Sequence, residues 1–137
     1  WLVADAFWKR WAVVMLASVA TLAVLVLPLK RMIRRRRPEG LWGGIYRRTD
    51  PHSFPSGHAA RAFLIAVLAT GLGPGWLTPV VWVWAPLVAL ARVAMGVHYL
   101  SDILGGFLLG ILSGLLVLHF APPLVSLLAG FFPWLFS

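Results

Sequence analysis

Residues 11–29 pass nineteen positions without a charge and then run straight into KRMIRRRRP, residues 30–38. Nineteen residues of helix rise about 28 Å, close to the ~30 Å hydrocarbon core of a bilayer, so this run predicts a transmembrane helix ending at a basic surface. Pro38 stops any helical continuation. That feature alone excludes most soluble architectures. The composition agrees: 61% of residues are hydrophobic, where a soluble domain has roughly 45–50%.

Three further apolar stretches follow. The pattern predicts a short helix from residue 56 or 57 to about 72, with Arg61 in its first turns, so that end must face protein or water. A third helix is expected over 76–95, kinked at Pro86. A fourth is expected over 102–120, where Gly106, Gly110 and Gly114 recur every four residues and predict close helix packing. The tail after Pro122 and Pro123 is too short for a span and predicts an interfacial helix. Trp1, Phe7, Trp8, Lys9 and Arg10 suit the headgroup level, as do Trp42 and Tyr46 in the loop 39–55. The expected fold is an all-α, polytopic transmembrane bundle. It has four spanning helices and a short C-terminal interfacial helix, in a single domain over residues 1–137.

Following the chain across the bilayer locates a site. The first helix leaves at Lys30, and the second starts from that same face. The second and third meet at the opposite face through the uncharged turn Gly73-Pro74-Gly75, and the third returns. Lys30, Arg37, Ser56, Gly57, His58, Arg92, His98 and Asp102 are therefore expected at one membrane surface. Nine of the twelve Lys and Arg lie between Lys30 and Arg61. Beside membrane spans, such a cluster points to anionic lipid or a phosphorylated substrate rather than nucleic acid. The chain has no Cys, which excludes disulfides, thiolate metal sites and cysteine nucleophiles.

His98 and Asp102 are four apart, so on a helix they would share a face, and the carboxylate could hold one imidazole nitrogen while leaving the other free. Arg92 offers a fixed fork suited to phosphate or carboxylate. A structural polar pair beside a basic anchor would look the same. Taken in order, the polar residues read K-x6-RP (Lys30, Arg37, Pro38), PSGH (Pro55, Ser56, Gly57, His58) and R-x5-H-x3-D (Arg92, His98, Asp102). With these motifs in this order, the chain resembles the type 2 phosphatidic acid phosphatase family, the membrane branch of a superfamily that also holds the vanadium haloperoxidases. The resemblance covers residues 30–102 by motif and the flanking helices by topology. The third motif opens with Ala91, where the family usually has Ser. Family members commonly have six spans, so the resemblance implies a six-helix core truncated at its N-terminus.

The charge logic stands beside the resemblance. A phosphoryl group in transfer spreads negative charge over three equatorial oxygens. Lys30, Arg37 and Arg92 can hold those oxygens, and the Ser56 hydroxyl and Gly57 amide can add neutral donors at a helix N-terminus. The division of labour is what the resemblance implies: His98 as nucleophile, Asp102 orienting it, and His58 protonating the leaving alkoxide and later activating water. It implies a membrane lipid-phosphate phosphatase that needs no metal or other cofactor and works through a phosphohistidine. The expected partners are a lipid phosphate and the bilayer, with no nucleic acid. Phosphatidate, phosphatidylglycerol phosphate, a polyprenyl mono- or diphosphate and a prenyl-linked sugar phosphate all remain open as substrates. The expected location is a bacterial-type cell membrane, with multiple passes. The positive-inside rule would place the loop 30–48 in the cytoplasm, whereas many relatives work from the outer face, and the expectation follows them to an extracytoplasmic site.

Simpler roles are expected for the remaining polar residues. Arg31, Arg34, Arg35 and Arg36 read as headgroup contacts or topology signals. Glu39 and Asp50 read as solvated loop charges, His52 as a loop residue, and His119 as serving a helix C-terminus. Ser56 lacks the Gly-x of a nucleophile elbow, since Phe54 and Pro55 precede it. A metal-dependent hydrolase using His58, His98 and Asp102 is disfavoured by the surrounding cations. A soluble-type haloperoxidase is disfavoured by hydropathy. A non-enzymatic basic anchor would need the arginines but neither His98 nor Asp102. A lipid phosphotransferase would share the phosphohistidine and differ in its acceptor.

Overall fold

The computed structural model describes residues 6–39 and 44–131. They form five helices: α1 (Ala6–Ile33), α2 (Gly44–Thr49), α3 (Gly57–Leu72), α4 (Leu77–Ala94) and α5 (Leu100–Phe131). Trp1, Trp42, the Tyr46 side chain and the end of the chain after Phe131 lie outside what is described, so their expected interfacial placement is not addressed. Among the described residues there is no strand, but an isolated antiparallel bridge joins Arg36 to His52.

The shortest of the four long helices is the hub. α3 buries nine of its sixteen residues, on opposite faces. One face, with Ala59, Phe63 and Ala66, packs with Val81, Ala85 and Ala89 of α4 and Ile103 of α5. The other, with Ala60, Leu64 and Leu68, packs with Leu22 and Val26 of α1. Alanine on both faces lets three helices approach it, which matters because lipid gives apolar side chains no drive to leave it. Large apolar residues on the outer helices point away, among them Leu16, Val24, Val83, Leu87, Leu108 and Leu112. In a membrane that surface faces acyl chains.

α5 lies against α3 at the glycines expected to mediate packing. A Cβ on Gly106 would stand 2.5 Å from the Ser56 carbonyl oxygen, and one on Gly110 would stand 2.3 Å from that of Ala60. No side chain fits at either position. One turn further on, a Cβ on Gly114 would stand 2.7 Å from the Val67 side chain.

One expectation about spans is met in part, and one changes. Among the described residues, three helices (α1, α4 and α5) are long and apolar enough to cross a membrane. α3, at sixteen residues, rises about 24 Å and is shorter than the ~30 Å core. Among the described residues there is no separate C-terminal interfacial helix, because α5 continues through Pro122 and Pro123 to Phe131. The prolines remove two donors, but in apolar surroundings the other backbone groups have no partner except the helix itself.

Candidate active site

Each of the three motifs is a local structural device. The first is a helix stop followed by an extended run. α1 ends when Arg34 takes a left-handed conformation (φ 51°) and its N–H bonds the Lys30 carbonyl at 2.9 Å. The chain then runs extended to Pro38, so alternate side chains face opposite ways. Arg37 is buried and Arg35 partly so, whereas Arg34 and Arg36 are exposed. The Ser53 N–H bonds the Arg35 carbonyl at 2.8 Å and pins the run to the returning segment.

The second motif is a helix start. Ser56 is the N-cap of α3 and accepts from the Ala59 N–H at 3.4 Å, leaving its own hydroxyl proton to donate. The Ser56 N–H bonds the Asp102 carbonyl at 3.0 Å, tying the start of α3 to the first turn of α5. Gly57 opens the helix and His58 follows it. A Cβ on Gly57 would meet nothing nearer than 3.6 Å, so the protein itself does not require glycine there.

The third motif is two caps back to back. Gly96, at φ 63°, ends α4 in a Schellman turn, with Gly96 N–H to the Val93 carbonyl at 2.8 Å and Val97 N–H to the Arg92 carbonyl at 3.2 Å. That turn accounts for the five residues between Arg92 and His98. Asp102 then accepts from the Tyr99 N–H at 2.8 Å, half of a capping box at the start of α5. His98 therefore precedes the helix. Its contact with Asp102 arises from the cap, and not from a shared helical face as the spacing suggested.

These devices bring the sequence-selected residues to one end of the bundle. Arg37 donates through Nη1 to the Val97 carbonyl at 2.8 Å and approaches His98 Nε2 at 3.2 Å. A guanidinium can only donate, so this contact makes Nε2 the acceptor and places the ring proton on Nδ1. Nδ1 lies 3.5 Å from Asp102 Oδ2, longer than a well-formed hydrogen bond. Burial and, next, the Arg37 charge push the His98 pKa down to about 4, with Asp102 opposing them, so the ring is neutral at pH 7. The cations acting most strongly on His58 are Arg92 and Arg61, followed by Lys30 and Arg37.

Asp50 and Arg35 were assigned bland roles from the sequence, and both are corrected. Asp50 is shared by two cations: Lys30 Nζ contacts its Oδ2, and Arg37 donates to the same oxygen at 2.8 Å and to its backbone carbonyl at 2.6 Å. Lys30 also donates to the His52 carbonyl at 3.1 Å. Arg35 reaches Asp102 Oδ1 at 3.0 Å and Ser101 Oγ at 2.6 Å, with its guanidinium 4.2 Å above the Tyr99 ring. A fully buried carboxylate needs a partner. The residue preceding a proline is extended, so the alternation from Arg37 back to Arg35 was a usable signal. Among the described residues, no three His, Cys, Asp or Glu side chains gather closely enough to hold a metal ion.

Comparison with known proteins gives a consistent picture. The family model described as the PAP2 superfamily matches residues 11–126. A decaprenylphosphoryl-5-phosphoribose phosphatase of Mycobacterium tuberculosis is 37% identical over 80% of this chain and 60% of its own length. Phosphatidylglycerophosphatase B of Bacillus subtilis is 34% identical over 82% of the chain and 59% of its own length. The crystal structure of a transmembrane PAP2-type phosphatidylglycerolphosphate phosphatase from Bacillus subtilis superposes with a TM-score of 0.68 at 34% identity, covering 81% of this chain and 59% of that one. The chain thus spans about three fifths of the length of these relatives.

Proposed function

The chain belongs to the PAP2 superfamily, and from that premise we propose that it hydrolyses phosphate esters of membrane lipids through a phosphohistidine on His98. One observation carries the reading. Arg37 Nη1 lies 3.2 Å from His98 Nε2 and the buried Asp102 carboxylate 3.5 Å from Nδ1, a setting in which a neutral ring keeps its lone pair on Nε2 and its proton on Nδ1. That is the protonation state a nucleophilic histidine needs.

The substrate phosphate takes the place of Nε2 as the acceptor for Arg37, and Lys30, Arg92, the Ser56 hydroxyl and the Gly57 amide hold its remaining oxygens. Glycine at the start of α3 has no internal reason, and an approaching anion supplies one. His98 Nε2 attacks phosphorus as the ester P–O bond breaks, and the alkoxide takes a proton from His58, which holds that proton once the bound phosphate dianion offsets the surrounding cations. Asp102 stabilises the imidazolium character that develops. Neutral His58 then takes a proton from water, the water oxygen bonds phosphorus, and the N–P bond breaks to release phosphate. The charge is neutralised by side chains already fixed in place, the mode expected for phosphoryl transfer.

Lipid phosphates in the range named for the relatives, from a phosphatidylglycerophosphate to a prenyl-linked phosphoribose, form the proposed substrate class. In this reading α3 makes a fourth crossing. Its short length is supported by its surroundings, since α1, α4 and α5 cover most of it. The single domain over residues 1–137 sits in a cell membrane with its polar end extracytoplasmic, a placement supported by the family resemblance.

The test is phosphate release from a panel of lipid phosphates, with and without chelator, by the unaltered protein and by His98→Ala. Chelator-resistant release is expected, falling by on the order of 10⁴-fold or more in His98→Ala. Rapid quench of the unaltered protein should trap acid-labile, base-stable phosphate. Release by His98→Ala at the unaltered rate would sink the assignment.

A further inference from the structure

We infer that Asp50 is a positioning residue for the reaction: it grips one edge of Arg37 so that the remaining nitrogen, Nη1, is aimed at His98 Nε2 and at the phosphate that replaces it. This rests on the phosphatase reading above and adds to it a residue outside the three motifs.

Asp50 meets Arg37 with two of its own oxygens. Its backbone carbonyl accepts from Nε at 2.6 Å, and its Oδ2 accepts from Nη2 at 2.8 Å. A guanidinium is planar and rigid, so fixing the Nε–Nη2 edge fixes where Nη1 points. Nη1 points at the Val97 carbonyl, 2.8 Å away, and at His98 Nε2, 3.2 Å away. Lys30 Nζ donates to that same Oδ2 and to the His52 carbonyl at 3.1 Å. One carboxylate oxygen therefore sets both cations.

Asp50 is itself held. The segment after it is tied to the extended run by the Arg36–His52 bridge and by the Ser53 N–H, which bonds the Arg35 carbonyl at 2.8 Å. The Phe54 ring then fills the space over Gly105, where a Cβ would stand 2.6 Å from it. The Ser56 N–H bonds the Asp102 carbonyl at 3.0 Å. Residues 50–56 thus connect the grip on Arg37 to the first turn of α5, from which Asp102 faces His98.

Burial says what the contact is for. The Lys30 and Arg37 side chains are 7% and 2% exposed, whereas that of Asp50 is 40% exposed. Partly exposed ion pairs contribute little to stability. Two buried cations repel each other, however, and a shared counterion lets both stand ready before a phosphate arrives. A carboxylate that merely occupied the phosphate's place would leave when substrate bound. The grip by the backbone carbonyl, which substrate binding does not remove, argues against that.

The experiment compares the unaltered protein with Asp50→Ala and Asp50→Glu, using the lipid phosphate of the panel that is hydrolysed fastest and ¹⁵N titration of His98. Asp50→Ala should lower kcat roughly 10–100-fold through misplacement of Arg37, with KM changed less than about threefold. After burial, the charges acting most strongly on His98 are Arg37, Asp102 and Lys30. Arg37 swinging away from Nε2 raises the His98 pKa from about 4 towards 6.5, whereas loss of the Asp50 charge with Arg37 still in place would lower it. Asp50→Glu keeps the charge but carries it one methylene further, and should show both effects to a smaller extent. If Asp50→Ala does not fold, Asp50→Glu alone decides by the same criterion. An unchanged kcat, a lower KM, or a kcat loss with the His98 pKa unchanged or lowered would overturn the inference and leave the phosphatase reading intact. No release from any lipid phosphate by the unaltered protein would overturn both.

Discussion

Along the middle of the bundle, Gly106 and Gly110 press the backbone of α5 against that of α3, and the contact involves no charge. The seam runs up to the Ser56 carbonyl, and at that end the same two helices carry His58, Arg61 and Asp102, beside the ion pairs of Asp50 and Asp102. The seam tolerates no added atom because its neighbours are backbone. The polar end depends on side chains from several separate segments, held to one another by hydrogen bonds and ion pairs. Position is thus set in one region and chemistry in the other. A substitution can be sorted by whether it disturbs the fold, the reaction, or both.

Asp102→Asn should show the largest separation. Turnover is expected to fall by on the order of 10²–10⁴-fold, because the amide neither stabilises the imidazolium nor enforces the Nδ1 tautomer. Yield and thermal stability in detergent should change far less, and a collapse of both together would show that Asp102 is a folding residue first. Arg37→Ala should cost on the order of 10²–10³-fold in kcat/KM through loss of a cation aimed at the transferring phosphoryl group. It should also raise the His98 pKa from about 4 towards 6.5, since a neighbouring positive charge is removed. ¹⁵N titration of the imidazole would detect the shift, and Asp102→Asn should move it the other way.

Gly110→Val tests the seam. Overpacking there should cost roughly 1–3 kcal/mol of stability, seen as a lower unfolding temperature, with activity falling in proportion to the folded fraction. Full stability with lost activity would mean that the seam tunes the site directly. The smallest effects are expected within the arginine run. Arg35→Ala should slow turnover roughly tenfold, because Arg35 positions Asp102 but is partly screened by solvent. Arg34→Ala, at an exposed residue, should leave turnover intact and weaken binding to anionic vesicles by about 1 kcal/mol at most. Partial recovery in Arg35→Lys would separate the lost charge from lost packing on Tyr99.

The seam and the general layout were legible in the sequence, because period-four glycines and long uncharged runs are local patterns with one physical meaning in a bilayer. The convergence of Lys30, Arg37, His98 and Asp102 followed from counting crossings. Asp50 was not legible, since nothing in its neighbourhood announces that two distant cations will share it. Arg35 was hidden by its neighbours, because four consecutive arginines look alike until the chain is known to be extended there. The pair Pro122–Pro123 misled for another reason: the rule that prolines end helices assumes water is ready to take the freed backbone groups. The His98–Asp102 pairing was read correctly, but through a helix that begins two residues too late to include His98.

The hydrogen bond from Ser56 N–H to the Asp102 carbonyl has a mechanical consequence. It fastens together the two helix starts from which His58 and the anchor of His98 project, so the proposed proton donor and nucleophile are mounted like the jaws of one caliper. Their opening is gauged by how closely two helices meet below them, and loop movements around the rim leave that gauge unchanged. On the proposed function, the loops above can therefore vary to admit different lipids while the reach across the phosphorus atom stays the same.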